Sequence, residues 1–198
     1  MTKDNPAAAA AEKIEALIKK IDRYVRAAVS APRYKHSVRT AALCETLCAL
    51  HGIDGRRGYL AGLAHDMCKD MDSERLIAYA MKDGFPITVL EAEKPPLLHG
   101  RAAAVLLRED FAVLDADILE AVANHTFGKK NCAPLTKILF VADKIEPGRE
   151  HITDAERTCL LQLPLDALVK SVITDNVRFL NRKGKPVAEA TLEFLSSL

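Results

Sequence analysis

The sequence predicts an all-α protein. Apolar residues return at i, i+3 or i+4 and i+7 through almost every segment, the period of one helical face. Those segments open at prolines or capping side chains and close at glycines, and none alternates apolar with polar as a half-buried strand does. Apart from Ala7 to Ala11 there is neither low-complexity sequence nor an internal repeat.

In chain order, Ile14, Leu17, Ile18, Ile21, Val25 and Ala28 form the stripe of an amphipathic helix over Ala7–Ala28. Pro32 opens a second helix, because its missing N–H costs nothing in a first turn. There His36, Leu43, Leu47 and Leu50 share one face, and His51-Gly52 supplies the stop. A third helix is expected from Arg56 to Asp70, with Leu60, Leu63, Ala64 and Met67 inward. Ser73 opens a fourth, with Leu76, Ile77, Ala80 and Met81 inward and Gly84 as its end. Residues 85 to 96 are less regular, with room for one or two helical turns, and Pro96 leads into a helix at Leu97-Leu98-His99-Gly100 that carries Val105 and Leu106. Asp115 or Asp117 caps the next, where Ile118, Val122 and His125 fall on one face. Pro134 follows a loop, and Leu135, Leu139, Ala142 and Asp143 line a helix that stops at Glu146-Pro147-Gly148-Arg149. Thr153 to Glu156 is a capping box. Pro164 opens a long helix with Leu165, Leu168, Val172, Ile173, Asn176, Phe179 and Leu180 inward, closed near Gly184, and residues 186 to 198 fit a last short helix. The expected division is an N-terminal amphipathic helix over 1–30 and a single compact domain over 31–198.

Bulk properties narrow the function. Lys and Arg total 28 against 27 Asp and Glu, so no global field draws the chain to nucleic acid or to an anionic membrane. No apolar run is long enough to span a bilayer and no secretory signal opens the chain, while the five cysteines are odd in number and lie mostly in helical stripes. Reduced thiols and a cytoplasmic location are the expectation. Cys44, Cys48 and His51 imitate the spacing of zinc ligands, but both cysteines fit their helix as small apolar residues.

The chemistry concentrates in Leu63-Ala64-His65-Asp66-Met67-Cys68-Lys69-Asp70, where an imidazole and a carboxylate sit side by side in an apolar run. A single inward histidine is ordinarily a hydrogen-bonded core residue. Here several helical faces carry such a group inward: His36, His65-Asp66, His125 and Asp143, with His99 at a helix start. Two carboxylates and at least three imidazoles are costly in a core unless a cation binds them. A nitrogen and oxygen donor set without thiolate suits iron, manganese, zinc or cobalt in a reactive site better than structural zinc. Lys69, at i+3 from Asp66, and Arg149, after the Pro147-Gly148 turn, are candidate phosphate binders, as are Arg33, one turn before His36, and Thr126, next to His125.

The order His36, His65-Asp66, Asp143 resembles the H…HD…D pattern of the HD phosphohydrolases. The runs RYKHS, LAGLAHDMCKD, LLHG, NHTFG and KILFVADKIEPGR, spread over residues 33 to 149, are similar to the bacterial YqeK-type proteins, which are symmetrical diadenosine tetraphosphate hydrolases. This resemblance implies an all-α HD fold with the metal site between core helices, iron held by His36, His65, Asp66 and Asp143, and manganese or cobalt as substitutes. His99 and His125 complete a second metal site or bind substrate phosphate. The reaction implied is cleavage of a dinucleoside polyphosphate at its centre into two ADP by a metal-bound hydroxide, since a metal lowers the pKa of its water. Catalytic roles fall to Asp66 and Lys69, substrate contacts to Arg33, Lys69, Thr126 and Arg149, and the segment Lys185 to Thr191 covers the nucleotide. The alternatives are another nucleotide as substrate, or a nucleotide-binding module without turnover. A homodimer is compatible with the reading. Ala7 to Ala11 and Lys144 depart from the family pattern.

Overall fold

The computed structural model describes residues 6–198, which form eleven α-helices and two short 3₁₀ turns, with no strand among the described residues. The helices are α1 Pro6–Ala28, α2 Ala31–Leu50, α3 Gly55–Ala64, α4 Ser73–Ala80, α5 Val89–Glu93, α6 His99–Asp110, α7 Ala116–Asn124, α8 Pro134–Ile145, α9 Asp154–Leu160, α10 Leu165–Arg182 and α11 Glu189–Ser196. One buried cluster runs from Ile18 on α1 to Phe194 on α11. At its middle, α3 packs on α1, α2, α7 and α8, and α8 packs on α2, α3, α7 and α10. Six buried apolar side chains of α8 with Ala142 sheath that helix, so Asp143 at its last turn is set down inside the molecule.

The helix boundaries follow the punctuation in the sequence. Asp54, Asp72, Thr88, Asp115 and Thr153 cap the helices that follow them, Thr88 and Thr153 as capping boxes. Gly52 closes α2 in the left-handed region at φ +70, with Ile53 N–H donating to Cys48 O at 2.8 Å and Gly52 N–H to Ala49 O, the paired bonds of a Schellman end. The closest approach in the core is between α2 and α3. A Cβ on Gly62 would lie 2.6 Å from Ala41 Cα, and one on Gly58 would lie 2.5 Å from Cys48 Sγ. Cys44 and Cys48 are therefore small packing residues at this crossing, and all five cysteines are unpaired.

Four expectations are corrected. The third helix ends at Ala64 and not at Asp70. His65 Nδ1 takes the Gly62 carbonyl at 2.6 Å, the group that would have accepted the Asp66 N–H in a continuing α-helix, and the backbone tightens into three-residue steps, Met67 to Ala64, Lys69 to Asp66 and Met71 to Cys68. Leu50 is 59% exposed and Met81 66% exposed. Leu50 is the last residue of α2, and Met81 begins a 3₁₀ turn in which the 3.6-residue register of the stripe is lost. Phe179 is also turned out, 46% exposed, because burial along α10 stops at Ile173.

Candidate metal centre

The site is assembled at helix ends. His65 is the residue after α3, His125 the residue after α7, and His99 follows the 3₁₀ turn Pro95–Leu98. Each ring uses Nδ1 in the same way: His65 on Gly62 O at 2.6 Å, His99 on Pro96 O at 2.8 Å and His125 on Val122 O at 2.8 Å. A carbonyl can only accept, so Nδ1 carries the proton and Nε2 presents a lone pair. Helix-end carbonyls lack intrahelical partners, so one local contact satisfies the backbone and aims the ring. His36, inside α2, is aimed instead by Glu146, whose Oε1 lies 3.0 Å from its Nδ1. Arg39 grips the same carboxylate with two nitrogens, and the Gly148 N–H donates to it.

The four Nε2 atoms converge in two pairs around Asp66. His36 and His65 stand 3.2 Å apart, and His99 and His125 3.0 Å apart. Asp66 Oδ2 is 3.7 Å from His65, and Oδ1 is 3.0 Å from His99 and 3.6 Å from His125. Asp143 Oδ1 lies 3.1 Å from His36 and 3.7 Å from His65. Two overlapping triads could each hold an ion, His36-His65-Asp66 and Asp66-His99-His125, with Asp66 in both. Asp66 is 5% exposed, and its inaccessible Oδ1 has no hydrogen-bond donor. Lone pairs turned toward each other and toward a buried carboxylate repel, and a cation between them removes the repulsion. The donor set fits a divalent metal.

Charge at the site follows from burial and neighbours. Burial lowers the pKa of His65 and takes His125 down to about 4, which keeps both neutral and able to ligate. Burial works against the charge on Asp66, but its neighbours, the Lys69 cation among them, hold its carboxyl well below the usual range. Asp143 is held down in the same way, chiefly by Lys144 and His36 against the pull of burial. His36 is also desolvated, yet Asp143 and Glu146 outweigh this and raise its pKa.

Two cations stand on the two carboxylates. Lys69 Nζ is 3.4 Å from Asp66 Oδ1 and 2.9 Å from His99 Nε2, while Arg149 Nη2 is 2.6 Å from Asp143 Oδ1. Thr126 Oγ1 lies 3.5 Å from His99 Nε2, at the limit of hydrogen bonding. Arg33 sits outside this group, paired with Asp70 at 2.7 Å. In the segment 185 to 191, Thr191 is buried and donates to Phe127 O. There it buttresses the turn after His125, where Phe194 fills the space a Cβ on Gly128 would need.

Sequence reading missed Glu146, Arg39 and Lys144. The first two carried a spacing signal, three residues after Asp143 and three after His36, hence on the same faces. Lys144 carried none. Its burial lowers its pKa, and it donates to His125 O at 3.2 Å, lies 3.5 Å from Asp143 Oδ2 and rests 3.7 Å above the Phe140 ring.

A helical core that turns histidines and aspartates of five segments onto one another defines the class, and residues 33–148 match the family described as HD domain. The chain is 28% identical to the symmetrical bis(5'-nucleosyl)-tetraphosphatase of Staphylococcus aureus, over 90% of this chain and 93% of that protein. It is 30% identical to the protein of the same name from Bacillus subtilis, over 78% and 83%. Among solved structures, a predicted HD superfamily hydrolase involved in NAD metabolism from Clostridium acetobutylicum superposes with a TM-score of 0.84 at 28% identity, covering 90% of this chain and 95% of that one. The chain belongs to the HD-domain family and, within it, groups with these symmetrical bis(5'-nucleosyl)-tetraphosphatases.

Proposed function

We propose that this protein is a metal-dependent hydrolase that cleaves diadenosine tetraphosphate at its central anhydride into two ADP. The observation that carries the reading is the buried Asp66 carboxylate, whose Oδ2 faces His65 of one imidazole pair and whose Oδ1, without a hydrogen-bond donor, faces His99 and His125 of the other. The names of the relatives supply the substrate. His36, His65 and Asp66, with Asp143 beside them, would hold one ion, and Asp66 with His99 and His125 would hold a second, a reading the two overlapping triads support. Iron is the proposed metal, in keeping with nitrogen and oxygen donors, and manganese or cobalt fits the same set. Such an ion, when bound, makes water nucleophilic at neutral pH and draws charge from a phosphoryl oxygen.

The protein's own groups do the rest. Lys69 and Arg149 flank the centre on its Asp66 and Asp143 sides, where they bind and orient the inner phosphates of the chain. Water adds to one inner phosphorus and gives up a proton to the solvent, the bridging P–O bond breaks, and charge gathers on the departing ADP, which Lys69 neutralises. Thr126 and Arg33 contact the chain further out. Glu146 and Arg39 keep His36 turned inward. Five unpaired cysteines fit a reducing compartment such as the cytoplasm. Incubation with diadenosine tetraphosphate and ferrous or manganous ion is expected to yield ADP alone, with two equivalents of metal bound. AMP with ATP among the products would overturn symmetrical cleavage, and a single equivalent would return His99 and His125 to phosphate binding.

A further inference from the structure

His125 is carried by the turn that ends α7, and a helix end is backbone that frays, whereas a coordinating ring must be held to within about 0.5 Å. Gly128 closes this turn in the left-handed region at φ +77, its N–H donating to Asn124 O at 2.7 Å. The space that a Cβ would need there is taken by the ring of Phe194, fully buried on α11. That ring stands edge-on to Phe140 of α8, with centroids 5.4 Å apart and planes at 83°, a favoured aromatic packing. Lys144 Nζ lies 3.7 Å from the centre of the Phe140 ring and donates to His125 O at 3.2 Å. The contacts therefore run from Phe194 back to the histidine itself. Thr191, also on α11, donates its hydroxyl to Phe127 O at 2.8 Å. Residues 183–186, all exposed, join α11 to the end of α10. The buried side chains of α11 are Thr191 and Phe194, the same two that brace the turn.

Resting on the two-ion centre proposed above, we infer that α11 completes the second ion site: Phe194 and Thr191 are positioning residues that hold the His125 ring on Asp66, and the Asp66-His99-His125 triad closes only with this helix docked. His36 and His65 are set by the crossing of α2 and α3 at Gly62, which is made without α11, so the two sites respond differently to its loss. In titrations followed by the electron spin resonance of free manganous ion, the unmodified chain is expected to bind two equivalents. Phe194→Ala keeps one and binds the other about 10–100-fold more weakly, the usual weight of a group that orients a ligand. Phe194→Leu keeps apolar bulk against Gly128 and restores the second equivalent, while Thr191→Val, which has the shape without the donor, weakens it in the same direction as Phe194→Ala. A readout that needs no ion is the ring Nδ1–H of His65 and of His125, each donating to a carbonyl. In NMR spectra of metal-free Phe194→Ala, the His125 proton is expected to exchange rapidly with water while that of His65 persists. If Phe194→Ala fails to fold, the titration of Thr191→Val decides. Two equivalents bound as tightly as by the unmodified chain would refute the inference and leave the two-ion reading standing. So would equal weakening of both in a chain that keeps its helical circular dichroism and its His65 ring proton, since Phe194 would then be an ordinary core residue. If the unmodified chain binds a single equivalent, the two-ion reading itself fails and the inference falls with it.

Discussion

His65, His99 and His125 are each aimed by the carbonyl three residues back, which fixes the tautomer before any metal arrives. The neutrality of His125 has a consequence for stability. His125 has its pKa taken down by burial from 6.5 to about 4, so the unfolded chain takes up the proton first. Stability is then full above about pH 6.5 and is lost as pH falls toward 4. Glu146 also has a depressed pKa, from 4.5 to about 2: burial opposes its charge, but Arg39, His36 and the Gly148 N–H prevail. Its contribution is present above about pH 4.5 and disappears between there and 2. Thermal melts of metal-free protein against pH are expected to fall in both windows, with Glu146→Gln flattening only the lower one. A melting temperature level from pH 7 to 3 would contradict both assignments. Of these residues, the ligand types were legible in the sequence because imidazoles and carboxylates on apolar helical faces demand an explanation. Lys144 was not, since a lysine reads as solvent-facing unless its neighbours in space are known.

At the level of elements, the spacing of glycines decides how closely helices meet. Gly62 lies against the backbone of Ala41, and Gly100 against Val122 O and the His125 ring, where a Cβ would come within 2.9 Å and 3.0 Å. The first contact sets α3, and with it His65 and Asp66, against α2 and His36. The second lets His99 and His125 meet. Gly62→Ala puts a methyl into backbone that cannot yield, and is expected to destabilise the fold by about 1–3 kcal/mol, seen as a loss of roughly 3–10 °C in Tm. A wild-type Tm in this variant would show the crossing to be looser than described. The turn after α8 is held by Arg157, buried and donating to the carbonyls of Ile145, Glu146 and Ile152, which fixes the segment carrying Arg149. Helix identity was readable here from periodicity and caps. The end of α3 was not, because a side chain competes with the backbone for Gly62 O, and periodicity is blind to that competition.

Across the whole molecule, one core joins α1 to α11, and the metal centre lies where α2, α3, α6, α7 and α8 meet. An ion bound there ties five helical segments together and binds only the folded chain, so it stabilises by mass action: about 2.7 kcal/mol at a hundredfold excess over Kd. Ferrous or manganous ion is expected to raise Tm by roughly 5–10 °C at that excess, a chelator to reverse the rise, and Asp66→Asn to abolish the rise together with turnover. A full metal-dependent rise in Asp66→Asn would remove Asp66 from the centre. Among the described residues, no helix is long and apolar enough to cross a membrane.

The sequence by itself determined that the chain is helical, where most helices begin and stop, and which histidines and aspartates turn inward, because periodicity and capping are local and side-chain polarity is explicit. Only the tertiary structure decided that Asp66 stands between two imidazole pairs and that Glu146, Arg39 and Lys144 belong to the site. Those facts depend on distances between helices far apart in the chain, which glycine contacts and competing hydrogen bonds set and no pattern along one segment records.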